Sequence, residues 1–341
     1  MATLKSLVDE TTNIKNELVE CHSNLKNNLI EKGVECSDTD KMSSLIDKVN
    51  NITTINMPKH FPTEDIWVTR DIDLPITATN TFVVNDTMYI MHQKASNKPV
   101  IYKYSVEEDM FIYETTAPTI RSGAFIGVHG DSLYVMGGIY NSSRKKTNES
   151  YNFVTKEWVT NANMPIYLTN STVIVKDDNI HFICGFGGSS PSATNSIKTH
   201  YTYNITTNTY TTRSNGPFAD DYPACYNNDN ELVYMISSSS FKSYDLEAEV
   251  WTSLTMSNTK KTASNIVYYN GFIYVFYSSY NGGATEMYNI DNDMWTFKAS
   301  QEGGMTTHSS ILYNDHMYFY GKVTDSTEQL HRCYIFEKEK K

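Results

Sequence analysis

Basic charge is scarce in this 341-residue chain: 28 Lys and Arg face 39 Asp and Glu, and charged residues make up only 20% of the whole. The formal charge of −11 argues against a phosphate backbone or an anionic lipid surface as partner. Arginine stands only at Arg70, Arg121, Arg144, Arg213 and Arg332. Cysteine is equally thin. Cys21, Cys36, Cys184, Cys225 and Cys333 are odd in number and widely scattered, with no CxxC and no zinc-ligand spacing. Free thiols in a reducing compartment are the expectation, with no metal and no cofactor. No apolar run has the length of a membrane-spanning helix, and Met1–Ser6 passes directly into an amphipathic pattern without a secretory leader. Synthesis in a cytoplasm, without membrane insertion, follows as an expectation.

What the chain does have is a repeat. Between Asp131 and Trp158 an alternating apolar strand, Leu133–Met136, runs into Gly137-Gly138, then a polar loop, then a short hairpin bounded by Tyr151 and Trp158. The anchor tyrosine recurs as Tyr104, Tyr151, Tyr203, Tyr244, Tyr288 and Tyr334, at intervals of 41 to 52 residues. Seven residues after each of the first five comes an aromatic: Phe111, Trp158, Tyr210, Trp251 and Trp295. Such intervals have the length of one propeller blade. Strand, diglycine, Tyr and Trp at this spacing resemble the kelch repeat, with the glycines kept only at Gly137-Gly138 and Gly187-Gly188.

The last anchor, Tyr334, has no aromatic after it, whereas Trp67 stands alone upstream of the first repeat. Counting Trp67 as the missing partner gives six anchors and six partners. The expected fold is therefore mainly β: a six-bladed kelch-like propeller over residues 65–341, closed by an N-terminal outer strand so that no edge is left open.

Residues 1–56 differ in kind. Leu4, Leu7, Thr11, Ile14, Leu18, Cys21 and Leu25 fall three and four apart, an imperfect heptad seam. Gly33 can stop that helix, and Ser37 or Asp38 can cap a second one with Met42, Leu45, Ile46 and Val49 on its apolar face. A small α-helical domain, coiled coil or helical hairpin, is expected here as an oligomerising or docking module through Leu4, Leu7, Ile14, Leu18 and Leu25. A linker with Pro58 and Pro62 follows, spanning residues 57–64 of the scheme. Asn24–Val34, the polar Cys36–Asp40 and Met42–Val49 resemble a helical module of bacteriophage tail and tail-fibre proteins. That resemblance implies docking to phage tail or baseplate proteins, a homo-oligomer (a trimer by analogy), and a place on a virion or tail-like particle.

The inner hairpin turns are short and alike, from Asn85-Asp86 to Asn314-Asp315, while the loops on the opposite face vary in length and composition. Variable loops on a rigid scaffold are where binding concentrates. Residues 139–149, 189–199 and 280–285 share that face, placed away from the helical segment by strand alternation. Loop aromatics among Asn, Ser and Thr suit sugar rings or protein contacts. The candidates are Tyr140, Asn141, Arg144, Lys145, Lys146, Tyr167, Ser190, Asn195, Phe218, Tyr222, Tyr280 and Asn281.

No catalytic constellation emerges. The arginines are too few and too dispersed for a sialidase-like site. His181 and His200 lack the second pair that a copper oxidase needs and read as ordinary strand residues. Gly185–Gly188 is the blade's own diglycine, not a phosphate loop. A non-enzymatic binding protein is expected. Two roles fit: a tail-borne receptor-binding protein reading a bacterial surface glycan or protein, or an intracellular kelch adaptor holding a protein partner, with a carbohydrate-active enzyme as a third and weaker option.

Overall fold

The computed structural model describes residues 67–70, 78–94, 97–105, 110–216, 218, 222–257, 263–277, 284–300, 305–313, 316–323 and 328–334, and within 1–63 only 19, 22–24, 26, 27, 37 and 41. The chain divides into two compact units, Met1–Thr63 and Glu64–Lys341. In the first, residues 19, 22–24, 26 and 27 are helical. No helical domain is shown among the described residues, so the expected one is corrected: the architecture shown is mainly β. The seam residues Leu4, Leu7, Ile14, Leu18 and Leu25 lie outside the described residues.

The second unit is built from antiparallel sheets. It opens with β1 (Trp67–Arg70). Blade 1 is β2 (Ala78–Val84), β3 (Thr87–His92), β4 (Val100–Ser105) and β5 (Met110–Thr116). Blade 2 is β6 (Ser122–His129) and β7 (Ser132–Tyr140), with the two-residue β8 (Ser143–Arg144) added to β7, then β9 (Asn148–Asn152) and β10 (Glu157–Thr160). Blade 3 sets β11 (Tyr167–Thr169) and β12 (Thr172–Lys176) on β13 (Asn179–Gly188), then β14 (Asn195–Asn204) and β15 (Thr209–Arg213). Blade 4 is β16 (Ala224–Asn227), β17 (Leu232–Ile236), β18 (Phe241–Asp245) and β19 (Val250–Leu254). Blade 5 is β20 (Ala263–Tyr269), β21 (Phe272–Tyr277), β22 (Ala284–Asn289) and β23 (Met294–Ser300). The remaining strands, β24 (Met305–Tyr313), β25 (His316–Val323) and β26 (Glu328–Tyr334), form a sheet with β1. Innermost strands touch in the sequence β2, β6, β12, β16, β20, β24 and back to β2.

Each blade is sandwiched between two others, so its second strand is apolar on both faces. Met88–Met91, Leu133–Met136, Val233–Ile236 and Ile273–Tyr277 are all buried. Outermost strands such as β10, by contrast, are largely exposed.

The aromatic spacing has a structural cause. Tyr104 lies opposite Phe111, Tyr151 opposite Trp158, Tyr203 opposite Tyr210, Tyr244 opposite Trp251 and Tyr288 opposite Trp295. Ring centroids in these cross-strand pairs lie between 4.1 and 5.2 Å apart. The composite sheet is different. Trp67 lies opposite Cys333, not Tyr334. The count of six anchors and six partners thus included a pair that is one residue out of register. Six alike blades are corrected to five self-contained blades, each cut from one continuous segment and carrying the aromatic pair, plus a composite sheet without it.

Candidate functional site

Strands alternate in direction, so the turns inside each hairpin of a blade lie on one face and all other connections on the opposite one. The short-turn face is locked backbone. Asn85, Asp86, Asp177, Glu231 and Asn270 adopt positive φ, which Asn and Asp tolerate better than most residues. The outer hairpin turns place a positive-φ residue five positions after the anchor tyrosine: Lys156, Asn208, Glu249 and Asp293. Three of these clasp the segment leaving the preceding blade. Asn208 accepts the backbone N–H of Ala162 at 2.8 Å, Glu249 that of Ser214 at 2.8 Å, and Asp293 that of Thr255 at 3.2 Å.

On the opposite face the candidate residues sort into two groups. Gly137 (φ 63°) ends the straight part of β7, and a methyl there would meet the Leu168 carbonyl oxygen at 2.4 Å. Only glycine lets blade 3 approach so closely. Beyond it, Asn141 and Ser142 turn back at positive φ into β8, so residues 139–149 form an ordered ribbon. The Met164 N–H donates to the Lys146 carbonyl at 2.8 Å, and the Arg144 N–H to the Pro191 carbonyl at 2.8 Å. The Lys146 ammonium stands 4.7 Å above the Tyr167 ring and donates to the Pro165 carbonyl at 2.9 Å. The Lys145 ammonium stands 5.8 Å from the Tyr140 ring. Tyr140, Asn141, Lys145, Lys146, Tyr167 and the 189–194 loop with Ser190 therefore meet across the seam of blades 2 and 3. Asn195 is exposed at the start of β14.

Arg144 belongs to this ribbon, but the residue is only 8% exposed, and its Nε has no hydrogen-bond partner among the described residues. It underlies the patch instead of presenting to solvent. Phe218 and Tyr222 form the second group. Their rings pack edge to face at 5.0 Å against Ile183, Cys184 and Val233. The Tyr222 carbonyl accepts from Thr172 at 2.7 Å and that of Phe218 from the Cys184 thiol at 3.0 Å. This pinning makes them part of the crossover into blade 4. Tyr280 and Asn281 lie outside the described residues.

Several polar groups escaped the reading by repeat. Arg121 is fully buried with Glu149, Nη2 to Oε2 at 2.5 Å, and the same guanidinium donates to the carbonyls of Val135, Gly137 and Thr147 at 3.2–3.3 Å. Thr119 also donates to Glu149 at 2.5 Å. Blade 5 repeats the device with Glu286, which accepts from Ser257 and, at 2.8 Å, from Tyr277. Both glutamates stand two residues before the anchor tyrosine and bind the segment entering their own blade. That position was the available signal. His181 and His200, taken as ordinary strand residues, are joined by a 3.0 Å hydrogen bond inside blade 3. Among the described residues no group of three or more His, Cys, Asp or Glu is placed to hold a metal ion. No described helix is long and apolar enough to cross a membrane.

A model of the Kelch motif matches residues 120–165, which span blade 2 and the exit from it. Human Kelch-like protein 23 is 25% identical over 193 residues, covering 54% of this chain and 34% of that protein. The chain thus spans about a third of the length of the curated relative it matches. The solved "Structure of YjhT" superposes with a TM-score of 0.64 at 14% identity, covering 80% of this chain and 98% of that one. At that identity the likeness is one of fold. The kelch repeat and propeller expectation thus agrees with these similarities, whereas the tail-fibre expectation finds no support in them.

Proposed function

We propose that the propeller is a non-enzymatic binding module that holds a protein partner on its variable-loop face, as a kelch adaptor would. The observation that carries this reading is the patch across blades 2 and 3. Two ammonium groups, Lys145 and Lys146, are held against the rings of Tyr140 and Tyr167 on a ribbon fixed by backbone hydrogen bonds. Aromatic and cationic groups on a rigid base lose little entropy on binding, the property of an interface anchor. In a chain of charge −11 such a patch is locally exceptional, and it favours a partner surface bearing carboxylates. The kelch similarity supports binding over catalysis.

A photo-crosslinking residue placed at Asn141 is expected to give a discrete protein adduct in cells, and the same residue at Asn228 on the short-turn face none. Lys145→Glu with Lys146→Glu is expected to abolish the Asn141 adduct without changing the melting temperature. An adduct of equal yield from Asn228, or one indifferent to the lysine changes, would refute the assignment.

A further inference from the structure

Anchor tyrosines bond in two ways: Tyr151 of blade 2 donates to Glu114 of blade 1 at 2.9 Å, across the seam. In blades 3 and 5 the anchor tyrosine donates to its own clasp, Tyr203 to Asn208 at 2.8 Å and Tyr288 to Asp293 at 2.7 Å. In blade 4 Tyr244, like Tyr151, reaches across a seam, and its partner is His200 Nδ1 of blade 3 at 3.2 Å. Indole and phenol groups opposite the anchors elsewhere reach back to the preceding blade: Trp158 to Thr115, Tyr210 to Ala162, Trp295 to Thr255. Trp251 Nε1 is buried without a partner among the described residues.

A cavity of about 250 Å³ opens at this seam on the short-turn face, lined by Lys176, Asp177, Asn179, His181, Arg213 and Glu247. His181 is 4% exposed and lies at its buried end. Its tautomer is assigned by taking the Tyr244 hydroxyl as the donor at the start of the hydrogen-bond chain. A phenol donates far better than it accepts, so the Tyr244 hydroxyl gives its proton to His200 Nδ1. His200 Nε2–H then donates to His181 Nδ1 at 3.0 Å. Thr202, which accepts from Arg213 Nε–H at 3.3 Å, donates to the same nitrogen at 3.3 Å. With two donors converging on Nδ1, the His181 proton sits on Nε2, which has no protein partner among the described residues.

Two cations and two carboxylates line the cavity, and the cations have partners outside it. Lys176 is taken by Glu231 at 2.9 Å and Arg213 by Glu249 at 3.1 Å. Asp177 and Glu247 make no side-chain hydrogen bond or ion pair among the described residues, Asp177 feeling the through-space charge of Lys176, and so present two carboxylates with open acceptor positions. Asn179 Oδ1 already accepts from Asn204 at 3.1 Å, leaving its amide N–H groups as donors.

We infer that this cavity binds a small organic cation that also carries a hydroxyl or carbonyl oxygen, of the amino-sugar and amino-alcohol class. The ammonium meets Asp177 and Glu247; the oxygen accepts from His181 Nε2–H and the Asn179 amide. A cavity of this size, below the usual range for drug-sized ligands, matches a single sugar ring. The site lies on the face opposite the Lys145–Tyr167 patch and is independent of it.

Ligand-observed NMR and calorimetry on the full chain test this with glucosamine, glucose and gluconate as probes. Glucosamine is expected to bind in the millimolar range, glucose at least about tenfold more weakly, and gluconate not at all. Asp177→Asn with Glu247→Gln is expected to bring glucosamine down to the level of glucose while melting unchanged. Lys145→Glu with Lys146→Glu is expected to leave glucosamine binding intact, which separates this site from the loop face. No glucosamine binding, equal affinity for glucose, preference for gluconate, or binding that survives removal of both carboxylates would each overturn the inference.

Discussion

The Tyr244 hydroxyl is hydrogen-bonded to His200 Nδ1 of the neighbouring blade at 3.2 Å, although the equivalent Tyr203 and Tyr288 donate to a clasp within their own hairpins. The switch follows from one residue. His200 is fully buried and within reach of that phenol. Glu249, the blade 4 clasp, is meanwhile engaged by Ser214 and Arg213. The blade 3–4 seam thereby carries a neutral polar chain beside its Lys176–Glu231 and Arg213–Glu249 ion pairs, whereas at the blade 1–2 seam Tyr151 donates to a carboxylate, Glu114, at 2.9 Å.

That chain makes the fold sensitive to mild acid. Burial and the nearby Arg213 and Lys176 hold His181 at about 4. Burial, with His181 and Arg213 next, holds His200 at about 3. Both lie below the value of about 6.5 expected unfolded, so between these limits the unfolded chain binds more protons and stability falls as pH falls. The loss begins near pH 6.5 and continues to about pH 3. Glu249, held down to about 2 mainly by its hydrogen bonds to Ser214, adds a further loss only below the ordinary carboxylate range. Melting temperatures measured from pH 7 to pH 5 should drop steadily for the native chain. A variant with His181→Gln and His200→Gln should show a flatter profile over that window, and parallel profiles would contradict the assignment.

The clasps can be tested at Asp293, which accepts from the Thr255 N–H, the Thr255 hydroxyl and the Tyr288 hydroxyl at positive φ. Asp293→Asn keeps both an acceptor and a side chain suited to that φ. Asp293→Gly keeps the φ and loses the acceptor, and Asp293→Ala loses both. Urea midpoints should fall in the order Asn, Gly, Ala, with the alanine variant about 1–3 kcal/mol below native. Equal values for Gly and Ala would mean that backbone strain there is negligible.

How much of this was legible in the sequence depends on what carries the signal. The Tyr-to-aromatic spacing is set by a cross-strand pair closing a hairpin, a local relation, and it marked five blades in phase. The short turns were legible for the same reason, since Asn and Asp report positive φ directly. The sixth pair failed because Trp67 and Tyr334 come from opposite ends of the unit, where spacing carries no register. Loop membership placed Lys145, Lys146, Tyr140 and Tyr167 on one face but gave no burial. Arg144 and Phe218 looked like their neighbours and proved to be packed. The His181–His200 link joins adjacent strands of one blade, but its partner Tyr244 lies in the next blade, and nothing local records that contact.

The buried Arg121–Glu149 pair should behave asymmetrically. Glu149→Gln leaves the guanidinium without its charge partner inside the blade, where Arg121 is already held below its ordinary pKa by burial. Removing one partner of a buried pair costs about 3–5 kcal/mol, whereas replacing both by apolar groups of similar size is near neutral. Chemical denaturation of Glu149→Gln should show that loss, and Arg121→Met with Glu149→Leu should recover most of it. The Val135, Gly137 and Thr147 carbonyls would then lose their guanidinium donor, so recovery is expected to be incomplete. A double variant as unstable as the single one would show that those backbone contacts, not the ion pair, govern the site.

The composite sheet makes the most direct claim about closure. Four residues of β1 pair with β26, from Trp67 opposite Cys333 to Arg70 opposite Leu330. Loss of β1 exposes the whole outer edge of β26, an invitation to pairing with another chain. A chain starting at Glu64 keeps β1, and one starting at Asp71 does not. The first should melt cooperatively, near the temperature of the full chain's propeller transition. The second should melt lower and associate with increasing concentration, as followed by light scattering. Identical melting and a concentration-independent mass for the two truncations would show that the ring closes without β1, through the β2–β24 contact alone. That contact has polar support of its own, since Thr81 and Ser309 bond across it through the Thr81 N–H at 2.9 Å and between hydroxyls at 2.8 Å. Thr81→Val with Ser309→Ala, made in the shorter chain, should therefore abolish cooperative melting, while the same pair of changes in the longer chain should only lower the melting temperature.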